Sequence, residues 1–168
     1  LIVTHPSLYD AVQPLASYRR SQGETVAIAK TEDIYDEFND GIYDPQAIRS
    51  LLAYAYANWA PKPVYVLLVG DARLDPKNNI GWSLPDLLPA YYADTLLMGQ
   101  TPTDAWFVKV HGDDDYPDLI VGRIPARSAS EVATVVNKVQ MDEQSPPPGN
   151  WVRRAVLVAD DGLQGFSQ

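Results

Sequence analysis

The sequence predicts an α/β fold in which helices flank a mainly parallel β-sheet. Short apolar stretches alternate with amphipathic helical segments in the first part of the chain, and this β-α-β order requires parallel strands joined by right-handed crossovers. The most apolar stretch, VYVLLVGD at residues 64–71, has the composition of a strand that is buried on both faces. Polar residues follow several of the predicted strands, as expected where an open α/β sheet binds ligands.

The first predicted unit is a strand, a helix and a second strand. Residues 1–5, LIVTH, have the character of a short buried strand, and residues 24–30, ETVAIAK, form the second strand. Between them, apolar residues recur at helical spacing after Ser7, which we expect to cap the helix, and Gly23 ends it. Pro14 lies inside this pattern and predicts a kink or a break in the helix.

Two further helices precede the central strand. Residues 31–38 predict a short helix, and residues 44–59 give the clearest helical pattern in the chain. Asp44 is the expected cap of the second helix and Pro45 its first residue, positions that aspartate and proline both favour.

The middle of the chain predicts a long loop followed by a hairpin. Residues 72–103 show no periodicity and are rich in Pro, Gly, Asn, Asp and aromatic residues, which is typical of an ordered, functional loop. Residues 105–110 alternate like a half-exposed strand, and residues 118–124 form an apolar strand. The sharp turn between them predicts a hairpin at the edge of the sheet.

The last part of the chain predicts a helix, a connector and one more strand. Ser128 and Glu131 form a capping box for a helix that runs to about Glu143. Prolines then make a stiff connector, and an apolar strand begins near residue 154 and ends at the two aspartates of VLVADD. We therefore predict a first α/β subdomain over residues 1–145, then the connector and opening strand of a second subdomain over residues 146–168. A strand so near the end leads us to expect that the native protein continues.

Composition excludes several classes of function. The 168 residues carry a net charge of −9, which disfavours nucleic-acid binding because phosphate backbones are repelled. No apolar run is long enough for a membrane span. The chain has no cysteine, so it holds no disulfide, thiolate metal site or cysteine nucleophile.

The polar residues at the strand ends are the first candidates for a site. His5, Asp71, Arg123, Asp160 and Asp161 each lie at or near the end of a predicted strand. We predict that Arg123 reaches across the sheet to form a bidentate ion pair with Asp71. This pair either ties a strand to a loop or contacts a substrate, and the structural reading is favoured.

The acidic segment HGDDDYPD, residues 111–118, is the second candidate. Its adjacent carboxylates Asp113, Asp114 and Asp115 repel one another unless water or a cation screens them. The spacing does not match an EF-hand loop, so ordinary turn chemistry and a calcium site are both open. The chain has neither a G-x-S-x-G elbow nor a phosphate-binding glycine motif, and its residues alone do not assemble into an active site.

The order of several motifs resembles the gingipain family of cysteine peptidases. SYRRSQG, TEDIYDEFNDGIYDPQAIRSLL, VYVLLVGDA, TPTDAWF, GDDDYPDLIVGRIPARSASE and VLVADD succeed one another over nearly the whole chain. The resemblance implies a caspase-like catalytic unit of two subdomains, of which this chain supplies the first and the opening strand of the second. The histidine of a Gly-His-Gly motif and the nucleophilic cysteine lie in the second subdomain of the family, and this chain contains neither motif. It is therefore expected to be inactive alone.

The resemblance also implies roles for individual residues. Asp161, with Asp160 next, matches the acidic residue that supports the catalytic histidine of the family. Family members bind calcium, which makes Asp104 together with Asp113, Asp114 and Asp115 candidate ligands of a structural calcium ion. No other cofactor is implied. The expected partners are the carboxyl-terminal catalytic subdomain and a polypeptide substrate, and the expected location is secreted or at the bacterial cell surface.

Two hypotheses of function follow. The leading one is that the chain is the amino-terminal portion of a secreted gingipain-like cysteine endopeptidase, or of a sortase-like relative that processes secreted proteins. The alternative is a non-catalytic α/β module, derived from such a peptidase, that binds calcium or a protein. A receiver-like signalling domain fits less well, because no lysine-bearing strand follows the acidic residues in the required order.

Overall fold

The computed structural model describes residues 1–75, 79–81, 86–150 and 153–157. The strands in these residues are β1 (Ile2–Thr4), β2 (Ile28–Lys30), β3 (Tyr65–Val69), β4 (Tyr91–Thr95), β5 (Gly99–Thr103) and β6 (Ile120–Ile124). The α-helices are α1 (Tyr9–Ser21), α2 (Thr31–Asn39), α3 (Pro45–Asn58) and α4 (Ala129–Gln144). Two short 3₁₀ helices cover Pro6–Leu8 and Ala105–Val108. None of the helices in the described residues is long and apolar enough to cross a membrane.

Four strands form a parallel sheet in the order β2-β1-β3-β6. The predicted α/β fold with a parallel sheet and flanking helices is therefore confirmed. Val66 and Leu68 of β3 are buried on one side of this sheet and Val69 on the other, which explains the continuous apolar run in this strand.

Each face of the sheet carries its own apolar core. Residues of α2, α3 and the 3₁₀ helix Ala105–Val108 cover one face, with Ile48, Leu52 and Phe107 fully buried. Residues of α1 and α4 cover the other face, where Val12 and Val132 are fully buried. A helix layer on each side of one parallel sheet is the usual way to bury both of its faces.

Local signals position the helices largely as expected. The Asp44 carboxylate accepts a hydrogen bond from Gln46 N at 2.7 Å and so caps α3. Ser128 Oγ accepts from Glu131 N at 3.3 Å at the start of α4. The Glu131 carboxylate in turn accepts from Arg127 N at 2.8 Å, one residue earlier than in the standard capping box. Pro14 does not split α1, which runs unbroken to Ser21.

The predicted edge hairpin is wrong. Residues 105–108 form a 3₁₀ helix rather than a strand, and β6 pairs in parallel with β3. Phe107 and Val108 are both fully buried, whereas neighbouring residues of a half-exposed strand point to opposite faces. The hairpin of this region lies earlier, where β4 and β5 pair in antiparallel register inside the segment that shows no periodicity in the sequence.

The predicted last strand is not formed where it is described. Residues 154–157 have no regular secondary structure, and Val156 and Leu157 are exposed. A strand needs hydrogen bonds from a neighbouring strand, and no described residue supplies them here. The division into subdomains at residues 145 and 146 stays a prediction.

Candidate functional site

The candidate site lies at the carboxyl end of β3 and β6. β3 ends at Val69, and Gly70 then turns with a φ of 146°. A Cβ atom on Gly70 would lie 2.9 Å from Leu88 Cβ and 3.2 Å from Leu87 Cβ. The absence of a side chain therefore allows residues 87–88 to cross directly over the end of β3. The amides of Leu87 and Leu88 donate to Asp71 O at 3.1 and 3.3 Å and hold this crossing in place.

Arg123 of β6 is the centre of this site. Its Nε donates to both Asp104 carboxylate oxygens at 3.0–3.1 Å, and Nη2 donates to Asp104 Oδ1 at 2.8 Å and to Pro89 O at 2.9 Å. Its Nη1 donates to Gly70 O at 3.0 Å and to Leu88 O at 3.1 Å. Each of the three guanidinium nitrogens is engaged, and only 12% of the side chain is exposed. Arg123 therefore binds carboxylate and carbonyl oxygens of four residues of this chain.

The predicted Arg123–Asp71 ion pair is not the arrangement in the structure. Arg123 pairs with Asp104, whereas Asp71 Oδ2 accepts a hydrogen bond from Arg127 Nε at 2.6 Å. The Asp71 amide donates to Ala126 O at 2.9 Å, so its side chain lies next to Arg127, the residue that follows Ala126. The hydrogen bond from Arg127 to Asp71 raises the pKa of Arg127.

An open cavity of about 320 Å³ lies beside these two ion pairs. Its walls come from the end of β3, from β6 and from both strands of the β4–β5 hairpin: Asp71, Ala72, Ala90, Tyr92, Pro102, Thr103, Asp104 and Arg123. Asp71 and Arg123 thus line the same cavity although they do not pair with each other.

A second hydrogen-bonded cluster surrounds Asp86. Its carboxylate accepts from the Tyr43 hydroxyl and, at 3.2 Å, from Arg73 N. Burial raises the pKa of Asp86, and burial together with the hydrogen bond to Asp86 raises the pKa of Tyr43. Through Asp86, this cluster joins Tyr43 in the loop before α3 to Arg73 in the segment after β3. Asp86 carries no sequence signal beyond its position between two prolines, and sequence reasoning missed it together with Arg127.

An aromatic stack joins the β4–β5 hairpin to the 3₁₀ helix Ala105–Val108. The rings of Tyr91 and Trp106 are parallel, with centroids 4.0 Å apart. The Arg49 guanidinium lies 4.7 Å from the centroid of the Trp106 ring and donates to Lys109 O at 2.6 and 3.1 Å. The stack fixes the first residue of β4 against the 3₁₀ helix that follows β5.

The acidic segment shows turn chemistry. Asp118 accepts from Val110 N and His111 N at 2.8 and 2.9 Å. Asp115 pairs with Lys109 at 3.0 Å and Asp114 accepts from Tyr116 N at 3.0 Å. These bonds show how the backbone of the turn is held by its own carboxylates.

The four candidate calcium ligands do not form one site in this conformation. Both Asp104 oxygens face Arg123, and no group of three or more Asp, Glu or His residues in the described part of the chain is placed to hold a metal ion. Calcium binding by Asp113, Asp114 and Asp115 stays a prediction. Asp160 and Asp161 lie outside the described residues, and their support of a catalytic histidine likewise stays a prediction.

The two histidines have local partners. His5 Nδ1 accepts from Ser7 N at 3.2 Å and caps the first 3₁₀ helix, and burial lowers the pKa of His5. The His111 ring lies 5.8 Å from the ring of Tyr56. Neither histidine belongs to a cysteine–histidine pair within this chain, because the chain contains no cysteine.

Two known proteins are similar to this chain, one in sequence and one in both sequence and fold. The chain is 29% identical over 156 residues to an uncharacterized protein from Archaeoglobus fulgidus, covering 93% of this chain and 31% of that protein. It is 28% identical to dimeric latent PorU from Porphyromonas gingivalis, with a TM-score of 0.75 over 92% of this chain and 16% of that chain.

Two gingipain structures share the fold at lower identity. The complex of the pro- and mature domains of RgpB from Porphyromonas gingivalis has a TM-score of 0.63 at 20% identity, over 83% of this chain and 28% of that chain. The Arg-specific cysteine proteinase gingipain R has a TM-score of 0.62 at 19% identity, over 83% of this chain and 27% of that chain. This chain spans about a third or less of each of these proteins.

A family model also matches the complete sequence. The profile of peptidase family C25 matches residues 1–168, which is every residue of this chain. Together with the parallel sheet, its two helix layers and the likeness to PorU, this match shows that the chain belongs to peptidase family C25.

Proposed function

We propose that this chain is the amino-terminal portion of a cysteine endopeptidase that is secreted or displayed at a bacterial cell surface. The observation that carries the proposal is the match of peptidase family C25 to every residue of the chain. The chain spans only part of its relatives and has no cysteine. The catalytic cysteine and histidine then lie in a second subdomain of the intact protein, and this chain alone has no peptidase activity.

The proposed reaction is hydrolysis of a peptide bond in a polypeptide substrate. The cysteine thiolate attacks the carbonyl carbon, the C–N bond breaks, and the histidine gives its proton to the departing amine. Water then cleaves the thioester, releasing the carboxylic acid and restoring the thiol. Asp161, with Asp160 as the second candidate, would hold the histidine in the orientation that this proton transfer needs.

The contribution of the described residues is a rigid wall beside the catalytic subdomain. Arg123 joins β6, the end of β3, and the segments before β4 and after β5 through one side chain. Because this framework is already ordered, the catalytic groups that it positions lose little conformational entropy when the substrate binds.

Activity of the intact protein and of this chain tests the proposal. The intact protein should hydrolyse an unfolded polypeptide and lose activity when iodoacetamide alkylates its cysteine, while the 168-residue chain should show no hydrolysis. A parent sequence without a downstream Gly-His-Gly motif and cysteine would remove the peptidase proposal.

The exposed acidic turn supports a second candidate, a calcium- or protein-binding module without catalysis. Asp113, Asp114 and Asp115 are exposed, and three adjacent carboxylates attract a hard cation. A calcium-binding turn should raise the melting temperature at saturating calcium, because a ligand that binds only the folded state stabilises it. Substitution of all three aspartates by asparagine should abolish that rise. An unchanged melting temperature in calcium would leave turn chemistry as the function of these residues.

A further inference from the structure

The β4–β5 hairpin is a two-stranded sheet separate from the main sheet. In the described residues, β4 and β5 pair only with each other. An isolated two-stranded ribbon is only marginally stable in water, and a third strand or a supporting layer normally completes it. A further strand can pair only with one of the two outer edges of this hairpin.

Pro102 reveals which backbone groups point outward. Tyr92 lies opposite Pro102 in the antiparallel register, and proline has no N–H to exchange. This pair must be the non-hydrogen-bonded kind, and its neighbours Tyr91↔Thr103 and Ala93↔Thr101 are then hydrogen-bonded pairs. The outward groups are those of Tyr92 and Asp94 on β4 and those of Gln100 and Pro102 on β5.

The two edges therefore differ. The outer edge of β5 lacks one donor at Pro102, and proline on an edge is a common means of preventing strand addition. The outer edge of β4 keeps both N–H and both C=O groups of Tyr92 and Asp94. Tyr92 and its partner Pro102 both line the cavity at the carboxyl end of the main sheet, so the hairpin face that carries these two side chains borders the candidate site.

The hairpin is held in place before any partner arrives. Arg123 binds Leu88 O and Pro89 O before β4 and the Asp104 carboxylate after β5, so one side chain fixes both ends of the hairpin. At the tip, Thr95 Oγ1 donates to Gly99 O at 2.9 Å and accepts from Met98 N at 3.2 Å. A preorganised edge avoids much of the ordering cost of strand addition.

We infer that the outer edge of β4 binds an extended segment of the polypeptide substrate as a third strand. This inference rests on the proposed peptidase function. Main-chain N–H and C=O groups at the spacing of a strand recognise another extended main chain, which a small molecule does not present. A second copy of the chain is disfavoured as the occupant, because two chains of net charge −9 repel each other.

The decisive variants are D94P and its matched control Q100P. Both place proline at an outward position, so both leave the β4–β5 hydrogen bonds intact, but only D94P removes a donor from the intact edge. Asp94→Asn controls for the loss of charge. The binding probe is fluorescein-labelled ribonuclease A that has been reduced and carboxamidomethylated, an unfolded polypeptide whose blocked cysteines carry no charge, and its fluorescence anisotropy is followed with the 168-residue chain.

The expected result is that D94P weakens binding of this probe about tenfold, the effect of one lost main-chain hydrogen bond together with the clash of the ring against an added strand. Q100P and D94N should bind within about twofold of the unsubstituted chain on the same scale. Equal binding by D94P and Q100P, or no binding by the unsubstituted chain, would overturn the inference. It would also be overturned if D94P only dissolved a dimer in sedimentation velocity while probe binding stayed unchanged.

Cleavage by the intact protein separates this inference from the proposed function. D94P should slow cleavage of the unfolded ribonuclease about tenfold in kcat/KM, as its binding loss demands. It should leave cleavage of a short chromogenic peptide unchanged, because under this inference only a long substrate extends from the catalytic subdomain to β4. An intact protein that cleaves neither substrate would contradict the peptidase proposal. An active protein in which D94P cleaves both substrates normally would contradict only the edge of β4 as a binding site.

Discussion

The Arg123 guanidinium donates hydrogen bonds to the Asp104 carboxylate from Nε and Nη2 at 2.8–3.1 Å. The same guanidinium also donates to three main-chain carbonyl groups. The pair joins an interior position of β6 to the residue that follows β5. Arg123 is 12% exposed and Asp104 29% exposed, so the guanidinium is the more buried member of the pair and its hydrogen bonds cannot be replaced fully by water.

Substitution of Arg123 by methionine should therefore lower the free energy of unfolding by about 2–4 kcal/mol, because it leaves a partly buried carboxylate and three main-chain carbonyl groups without their donor. Urea denaturation measures this change. The matched control is Arg19→Met, which removes the bidentate Arg19–Glu143 pair, whose side chains are 29% and 34% exposed. That pair should contribute at most about 1 kcal/mol. Equal losses in the two variants would show that Arg123 is not a structural centre.

Substitution of Gly70 by alanine should destabilise the protein by about 2–4 kcal/mol, since the new Cβ is strained at this φ and overlaps its neighbours. The overlap is with Leu87 and Leu88, which cross the end of β3. The control is Gly122→Ala in β6, where a Cβ meets nothing within 4 Å. Alanine there should be neutral or stabilise by up to about 1 kcal/mol, because glycine in a strand loses more chain entropy on folding. Thermal and urea unfolding compare the two, and a destabilised Gly122→Ala variant alone would refute this account.

The half-buried carboxyl of Asp86 should make stability fall as pH rises. Burial raises its folded-state pKa, so the folded protein holds this proton more tightly than the unfolded chain does. The loss of stability occurs as pH rises from the ordinary value of about 4 through the raised pKa. Asp86→Asn removes this titration, and its stability relative to the unsubstituted protein should increase over that pH interval.

Glu143 provides the opposite case for the same urea titrations. The hydrogen bond from Arg19 lowers the pKa of Glu143, so this group stabilises the fold above its ordinary pKa of about 4 and the benefit is lost as pH falls through the lowered value. Glu143→Gln should therefore be most destabilising near neutral pH. Two variants with the same sign of pH dependence would contradict the assignment of both groups.

The Asp118 carboxylate should hold the acidic turn closed. Asp118→Ala removes the acceptor of the Val110 and His111 amides, and we expect a loss of about 1–3 kcal/mol in the free energy of unfolding. Amide hydrogen exchange at Val110 and His111 should accelerate in this variant. Asp113→Ala is the control, and as an exposed residue it should change stability by no more than about 0.5 kcal/mol. Unchanged exchange at both amides would exclude this function of Asp118.

The sequence by itself determined the parts of the protein that depend on neighbours a few residues away. The apolar run of β3 identified a strand buried on both faces, and Asp44 with Pro45 identified the start of α3. Arg123 stood out as a residue of the site because a charge interrupts an apolar strand there. Local hydrogen bonds and hydrophobic periodicity carry this information, since both act over one or two helical turns or a single strand.

Only the tertiary structure decided which of these residues meet. Asp71 and Asp104 are chemically identical candidates for Arg123, and the choice between them depends on the crossing of residues 87–88 over Gly70 and on the Asp71 amide bonding to Ala126. The sequence of the β4–β5 hairpin shows no clear alternation of apolar and polar residues, because its strands are polar and partly exposed. The 3₁₀ helix after it has a sequence pattern that predicts a strand. Contacts between residues far apart in sequence arise from the packing of whole segments, and the free energy of that packing is a property of the assembled fold rather than of any short stretch.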